Sequence, residues 1–101
     1  MCSANDFLLE LRRVPKPILA AFNEAGWTYR IDFDFMADLS DRLDMSCIGA
    51  TSYGTKTIYV SDAKATIHEF GHFLAFYRAG TKKGTAAHFQ ILAFLVELFI
   101  N

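Results

Sequence analysis

Polar and apolar residues change rhythm several times along this chain, and each change marks an element. Ser3 is placed to cap a short helix over residues 5–13, which Val14-Pro15-Lys16-Pro17 must end, because proline lacks an N–H and disfavours a helical residue before it. A second helix of about two turns follows, with Pro17 in a first helical position, Ile18, Leu19 and Phe22 as its apolar stripe, and Gly26 as its left-handed stop. Residues 27–33 alternate instead. Trp27, Tyr29, Ile31 and Phe33 share one face and Thr28, Arg30 and Asp32 the other, which is the two-residue period of a strand. Residues 36–44 mix Ala and Leu with acids and serine, and read either as one or two amphipathic turns or as a loop.

Two further strands are expected over residues 46–52 and 57–61, joined by Tyr53-Gly54-Thr55-Lys56. Gly54 is expected to take the positive φ of a hairpin, and so short a turn makes the pair antiparallel. Ser61 and Asp62 then offer a cap and a first-turn negative charge to a helix of about five turns, which has no proline before Gly80 and carries Arg78 in its last turn. Residues 80–84 form a loop with two lysines. Thr85 is suited to capping a last helix that runs through Phe89, Ile91, Leu92, Phe94, Leu95, Val96 and Leu98. That helix is apolar nearly all round, so it belongs in a core or an interface.

The 101 residues are the size of one domain, residues 1–101, with one core of α+β class. An apolar fraction of 52% with ten Phe argues against disorder, and so much apolar surface in a small domain points to a homo-oligomer formed through the last helix. Net charge is −1 and the basic runs stop at Arg12-Arg13 and Lys82-Lys83, which argues against nucleic acid or anionic membrane as a partner. Cys2 and Cys47 lie far apart and outside any CxxC pair, so both read as free thiols. Residues 7–9 are too short for a signal-peptide core, which favours the cytoplasm. No stretch reaches the roughly 18 apolar residues of a membrane span, since residues 91–100 are few and carry Glu97.

The candidate chemistry lies in His68-Glu69-Phe70-Gly71-His72. On a helix the i, i+4 spacing sets the two imidazoles one turn apart on one face, as two ligands of a tetrahedral ion require. Glu69, rotated about 100° from His68, flanks that ion and is placed to take a proton from the attacking water. Imidazole and carboxylate donors favour zinc, which brings the pKa of water toward roughly 7. A third ligand is needed, and His88 and Glu97 are the good candidates after the loop, Gln90 being a weak one. Glu97 is the stronger, because a carboxylate among Ile91, Leu92, Phe94, Leu95, Val96, Leu98 and Ile100 is costly to desolvate unless it meets a cation. His88 is the alternative.

The run Thr57-Ile58-Tyr59-Val60-Ser61-Asp62, leading into Thr66-Ile67-His68-Glu69-Phe70-Gly71-His72-Phe73-Leu74, resembles the gluzincin metallopeptidases, among them the anthrax lethal factor catalytic domain. Phe94-Leu95-Val96-Glu97-Leu98-Phe99 looks like the segment that carries the glutamate ligand of that family, and the chain length is similar to that of the minigluzincins. The resemblance covers about residues 45–101. It implies a small zincin-like domain with N-terminal helices, a three- or four-stranded twisted sheet, the HExxH helix and a C-terminal glutamate helix. It also implies a zinc-dependent metalloendopeptidase in which His68, His72 and Glu97 hold one zinc ion and Glu69 is catalytic. Residues 46–52 would then form the sheet edge that pairs antiparallel with an extended peptide or protein substrate, with residues 57–61 as the next strand in.

One position departs from the lethal factor pattern: Gln90 stands where a tyrosine is expected to stabilise the charged transition state. An amide can donate a hydrogen bond there, whereas His88, nine residues before Glu97, falls on the opposite helix face. Tyr53 and Tyr77 are other donors, and Tyr77, nine residues beyond His68, is expected to face away as a core residue. The departure favours a second class of function, a zinc-stabilised binding or regulatory module of the same fold with little peptidase activity. A metal-free interaction domain is a third.

Overall fold

A computed structural model of the chain describes residues 3–80. The expected last helix with His88, Gln90 and Glu97, most of the preceding loop, and Cys2 lie outside the described residues.

Local capping shapes the first half of the chain. Helix α1 (Ala4–Arg12) starts at a reciprocal capping box, in which the Ser3 hydroxyl accepts the Asp6 N–H and the Asp6 carboxylate accepts the Ser3 N–H at 2.8 Å. Helix α2 (Lys16–Glu24) has proline in its first turn and is followed by Gly26 at φ +81°, as the sequence predicts. Strand β1 (Thr28–Ile31) is shorter than the alternation over residues 27–33 predicts. The Asp32 carboxylate accepts the Phe35 N–H at 2.9 Å and caps helix α3 (Phe33–Leu43), so Phe33 opens a helix and does not end a strand. Trp27 is buried, but Ile31 and Phe33 are 44% and 49% exposed. The open reading of residues 36–44 resolves as most of α3, an 11-residue helix that ends at Asp44 in the left-handed conformation.

The hairpin comprises β2 (Gly49–Ser52) and β3 (Thr57–Val60), paired antiparallel with Gly49 opposite Val60 and Ser52 opposite Thr57. β2 starts three residues later than expected, because the Ser40 hydroxyl accepts the Cys47 N–H at 3.0 Å and ties that residue to α3. In the turn it is Lys56, at φ 52°, that takes the left-handed conformation expected of Gly54. The Lys56 ammonium donates to the Ala25 carbonyl at 3.1 Å, binding the turn to the end of α2. After β3 the Asp62 carboxylate caps a 3-10 turn, Ala63–Ala65, that precedes helix α4 (Thr66–Ala79), so α4 is shorter than the expected five turns. Gly80, at φ +67°, closes it.

These elements make a small α+β fold with four α-helices and a three-stranded mixed sheet among the described residues. The strand order is β1-β3-β2: β3 is central, β1 runs parallel to it and β2 lies at an edge. Ile58 and Val60 of β3 belong to the same buried cluster as Phe70 and Phe73 of α4, all fully enclosed. The Phe22 ring closes the cluster, with its centroid 4.7 Å from Phe70 and 5.1 Å from Phe73, and Trp27 lies 5.2 Å from Phe73. Each such side chain contributes about 1.5–3 kcal/mol on burial, so α4 is fixed against the sheet mainly by its aromatic face. A hydrogen bond of 2.8 Å between the Tyr29 and Thr66 hydroxyls ties β1 to the first residue of α4. No described helix is long and apolar enough to cross a membrane.

Candidate metal centre

Packing of Phe70 and Phe73 against the sheet sets the rotation of α4, and this rotation carries His68 and His72 to its rim while Glu69 turns inward. The two imidazoles meet nearly edge to face, with centroids 4.9 Å apart, and their Nε2 atoms are 3.2 Å apart. Two nitrogens each ~2.0–2.1 Å from one tetrahedral ion stand roughly 3.3 Å apart, so this pair has the spacing of two ligands of one metal ion. His68, Glu69 and His72 offer ligand atoms that all lie within 4.8 Å of one another, a group that could hold a metal ion. The carboxylate has a separate engagement, because Glu69 Oε1 accepts the Thr51 hydroxyl at 2.8 Å.

The edge strand meets Glu69 closely. A β-carbon on Gly49 would lie 2.9 Å from Glu69 Cγ, from Glu69 Oε2 and from Ala65 Cβ, so the carboxylate occupies the space that a side chain on Gly49 would need. Glu69 is 5% exposed, and this burial raises its carboxyl above its ordinary value, with the Thr51 hydrogen bond and the nearby His68 acting in the opposite sense. Burial lowers the His72 pKa, as does the neighbouring His68, which keeps its ring neutral and its lone pair available to a cation. The Tyr53 phenol is raised by burial and then by the Glu69 charge.

Two cavities open beside this group. One of about 440 Å³ lies toward Met45, Cys47, Ile48 and Lys64, and reaches His68 and Glu69. The other, about 280 Å³, runs past Ala50, Thr51 and Tyr53 to Glu69 and both histidines. Gly49 borders both, so together they form a cleft along β2 and the first half of α4 with Glu69 near its middle.

Of the residues that the sequence singles out, His68, Glu69 and His72 come together, while Glu97 and its alternative His88 lie outside the described residues. Tyr77 is 55% exposed and its ring is tilted against Phe73 with centroids 5.5 Å apart, so it is a surface residue and not the core residue expected. Cys47 is a free thiol. Gly49 and Thr51 fall within the edge strand expected over residues 46–52, but their contacts with Glu69 were not legible in the sequence, although a glycine inside an expected strand does signal close approach of another group. Comparison of the chain with protein-family models, with curated proteins and with solved structures gave no match.

Proposed function

We propose that this chain is a zinc-dependent metalloendopeptidase of gluzincin type on a zincin-like fold. The observation that carries the proposal is the 3.2 Å separation of the His68 and His72 Nε2 atoms, with the Glu69 carboxylate buried beside them and held by Thr51. His68 and His72 would hold the ion with Glu97 as third ligand, and zinc there would supply Lewis acidity and bring water toward a pKa of about 7.

The remaining chemistry belongs to the chain itself. Thr51 fixes one carboxylate oxygen of Glu69, which leaves Oε2 to take the proton of the attacking water. The water oxygen bonds to the peptide carbonyl carbon, the C–N bond breaks, and Glu69 returns the proton to the leaving amine. The edge strand supplies the track. The Ser61 N–H donates to the Ile48 carbonyl at 2.9 Å, and antiparallel alternation then turns the N–H and C=O groups of Gly49 and Thr51 away from β3. An extended peptide running antiparallel to β2 would pair with those two residues. Its chain beyond the scissile bond would pass toward Met45 and Ile48, where the mainly apolar cavity suits an apolar side chain.

The test is elemental analysis of wild type beside Glu97→Ala after mild dialysis, with labelled casein as substrate for wild type and Glu69→Gln. About one zinc per chain in wild type, loss of it in Glu97→Ala, and loss of hydrolysis with retained zinc in Glu69→Gln are expected. A wild type that holds no zinc and takes none up refutes the proposal. The presence of Gln90 favours a second reading, a zinc-stabilised binding module, and hydrolysis by wild type that disappears in Glu69→Gln rules it out.

A further inference from the structure

The cleft has a direction. Strand β2 runs from Gly49 to Ser52 and α4 carries first His68 and then His72, and both lead from the larger cavity, at Met45 and Ile48, toward the smaller one, at Ala50 and Thr51. A peptide lying antiparallel to β2 therefore places its departing, C-terminal side in the larger cavity. The side chains around that cavity decide which departing residues it accepts.

Met45 and Ile48, 60% and 40% exposed, make its wall apolar. Lys64 adds a positive charge, and it is the only lysine or arginine among the described residues that line either cavity. It stands four residues before His68, as His72 stands four after it. The Asp62 carboxylate accepts the Lys64 N–H at 3.0 Å, which fixes the backbone that carries the lysine. The ammonium itself is held loosely: it lies 3.8 Å from the Asp62 carboxylate, and the Lys64 side chain is 75% exposed. So long and open an ion pair is weak, and the ammonium readily exchanges it for another carboxylate. The spacing agrees. Four residues of 3-10 and α-helix advance ~6–8 Å, and an extended peptide advances ~3.3 Å per residue, so with the scissile bond beside His68 the second departing residue comes level with Lys64.

Resting on the peptidase reading above, we propose that Lys64 is a specificity-determining residue whose ammonium selects substrates with a carboxylate on the second residue beyond the scissile bond. That carboxylate belongs either to an acidic side chain or to the substrate's own C-terminus, in which case a dipeptide is released. The apolar wall at Met45 and Ile48 takes the residue between.

The experiment uses zinc-loaded, full-length wild type, Lys64→Gln and Lys64→Glu. Each digests a peptide library with free C-termini and the same library amidated, and the cut sites are read by mass spectrometry. The exposed Lys64 side chain makes both variants fold and bind zinc as wild type does. At low salt, wild type should cut ~5-fold faster where the second departing residue carries a carboxylate than where it is Gln or Asn. Lys64→Gln should remove this ratio, and Lys64→Glu should invert it in favour of Lys and Arg. A preference that survives amidation assigns the carboxylate to a side chain; one confined to dipeptide release from free C-termini assigns it to the terminus. A second readout needs no turnover: a hydroxamate of Leu-Glu amide should bind wild type ~5-fold tighter than a hydroxamate of Leu-Lys amide, with the order reversed in Lys64→Glu. If wild type cuts without regard to charge, or Lys64→Glu keeps the wild-type preference, the role of Lys64 is refuted and the peptidase reading stands. If wild type cuts nothing and binds neither hydroxamate, both fall together.

Discussion

Gly49 and Glu69 are packed against each other so closely that a β-carbon on the glycine would stand 2.9 Å from both Cγ and Oε2 of the glutamate. The same β-carbon would meet Ala65 Cβ at 2.9 Å, so it has no clear direction in which to move. The edge strand and the inward face of α4 are thereby fitted to one another at the carboxylate that the proposed chemistry uses. Thr51, two residues further along the same strand, completes the hold from one side.

Gly49→Ala should therefore fold with a loss of about 1–3 kcal/mol from overpacking, retain its zinc, and hydrolyse casein about 100-fold more slowly because Glu69 is displaced. Urea unfolding, elemental analysis and the casein assay check the three parts. Unchanged hydrolysis would mean that the contact does not position the carboxylate.

Replacing Glu69 by Gln should stabilise the zinc-free protein at neutral pH. Burial is the largest influence on Glu69 and raises its pKa above 4.5 in the folded state. Below that value the carboxyl is protonated in both folded and unfolded chains, and it brings no charge penalty. As pH rises through the raised folded value, ionisation favours the unfolded chain, so stability is lost toward high pH. Glutamine stays neutral and keeps an acceptor for Thr51. Thermal melts should place Glu69→Gln above wild type near pH ~7.5, with the gap narrowing below about pH 4.5. A gap independent of pH would contradict this account.

Acid should release the metal. His72 is lowered from its ordinary 6.5 by burial first and by His68 second. In the zinc-free protein its neutral form contributes stability that is present above pH 6.5 and is lost as pH falls through the lower folded value. Protons compete with the ion for the same lone pair. Equilibrium dialysis at about pH 7.5, 6.5 and 5.5 should show falling zinc retention, steepest at the acid end. Retention that does not change with pH would exclude imidazole ligands.

Phe73 is fully buried between Phe22 and Trp27, and Phe73→Ala should cost about 3–5 kcal/mol. Trp27 is the single tryptophan of the chain and reports on the change directly. Its emission should shift toward that of exposed indole as the ring 5.2 Å away is removed. A stable variant with unaltered emission would show that α4 is not fixed by its aromatic face.

The sequence by itself determined what depends on neighbours within a turn. Ser3 and Asp6, Pro17, Gly26 and Gly80 act on their own helix ends, and His68, Glu69 and His72 owe their spacing to one helix. Such relations are set by backbone geometry over three or four residues and survive in any fold that keeps the helix. Where two local rules competed, the pattern misled. Alternation carried the expected first strand to Phe33, but the Asp32 carboxylate could satisfy the Phe35 N–H and began a helix there. Only the tertiary structure decided that Gly49, Thr51 and Tyr53 share a cleft with the histidines. They stand 15 or more residues before His68, and they reach it because β3 pairs with β2 and hands the chain to α4, whose aromatic face turns Glu69 toward the edge strand. Side-chain contacts of that range follow from packing, which no local periodicity encodes.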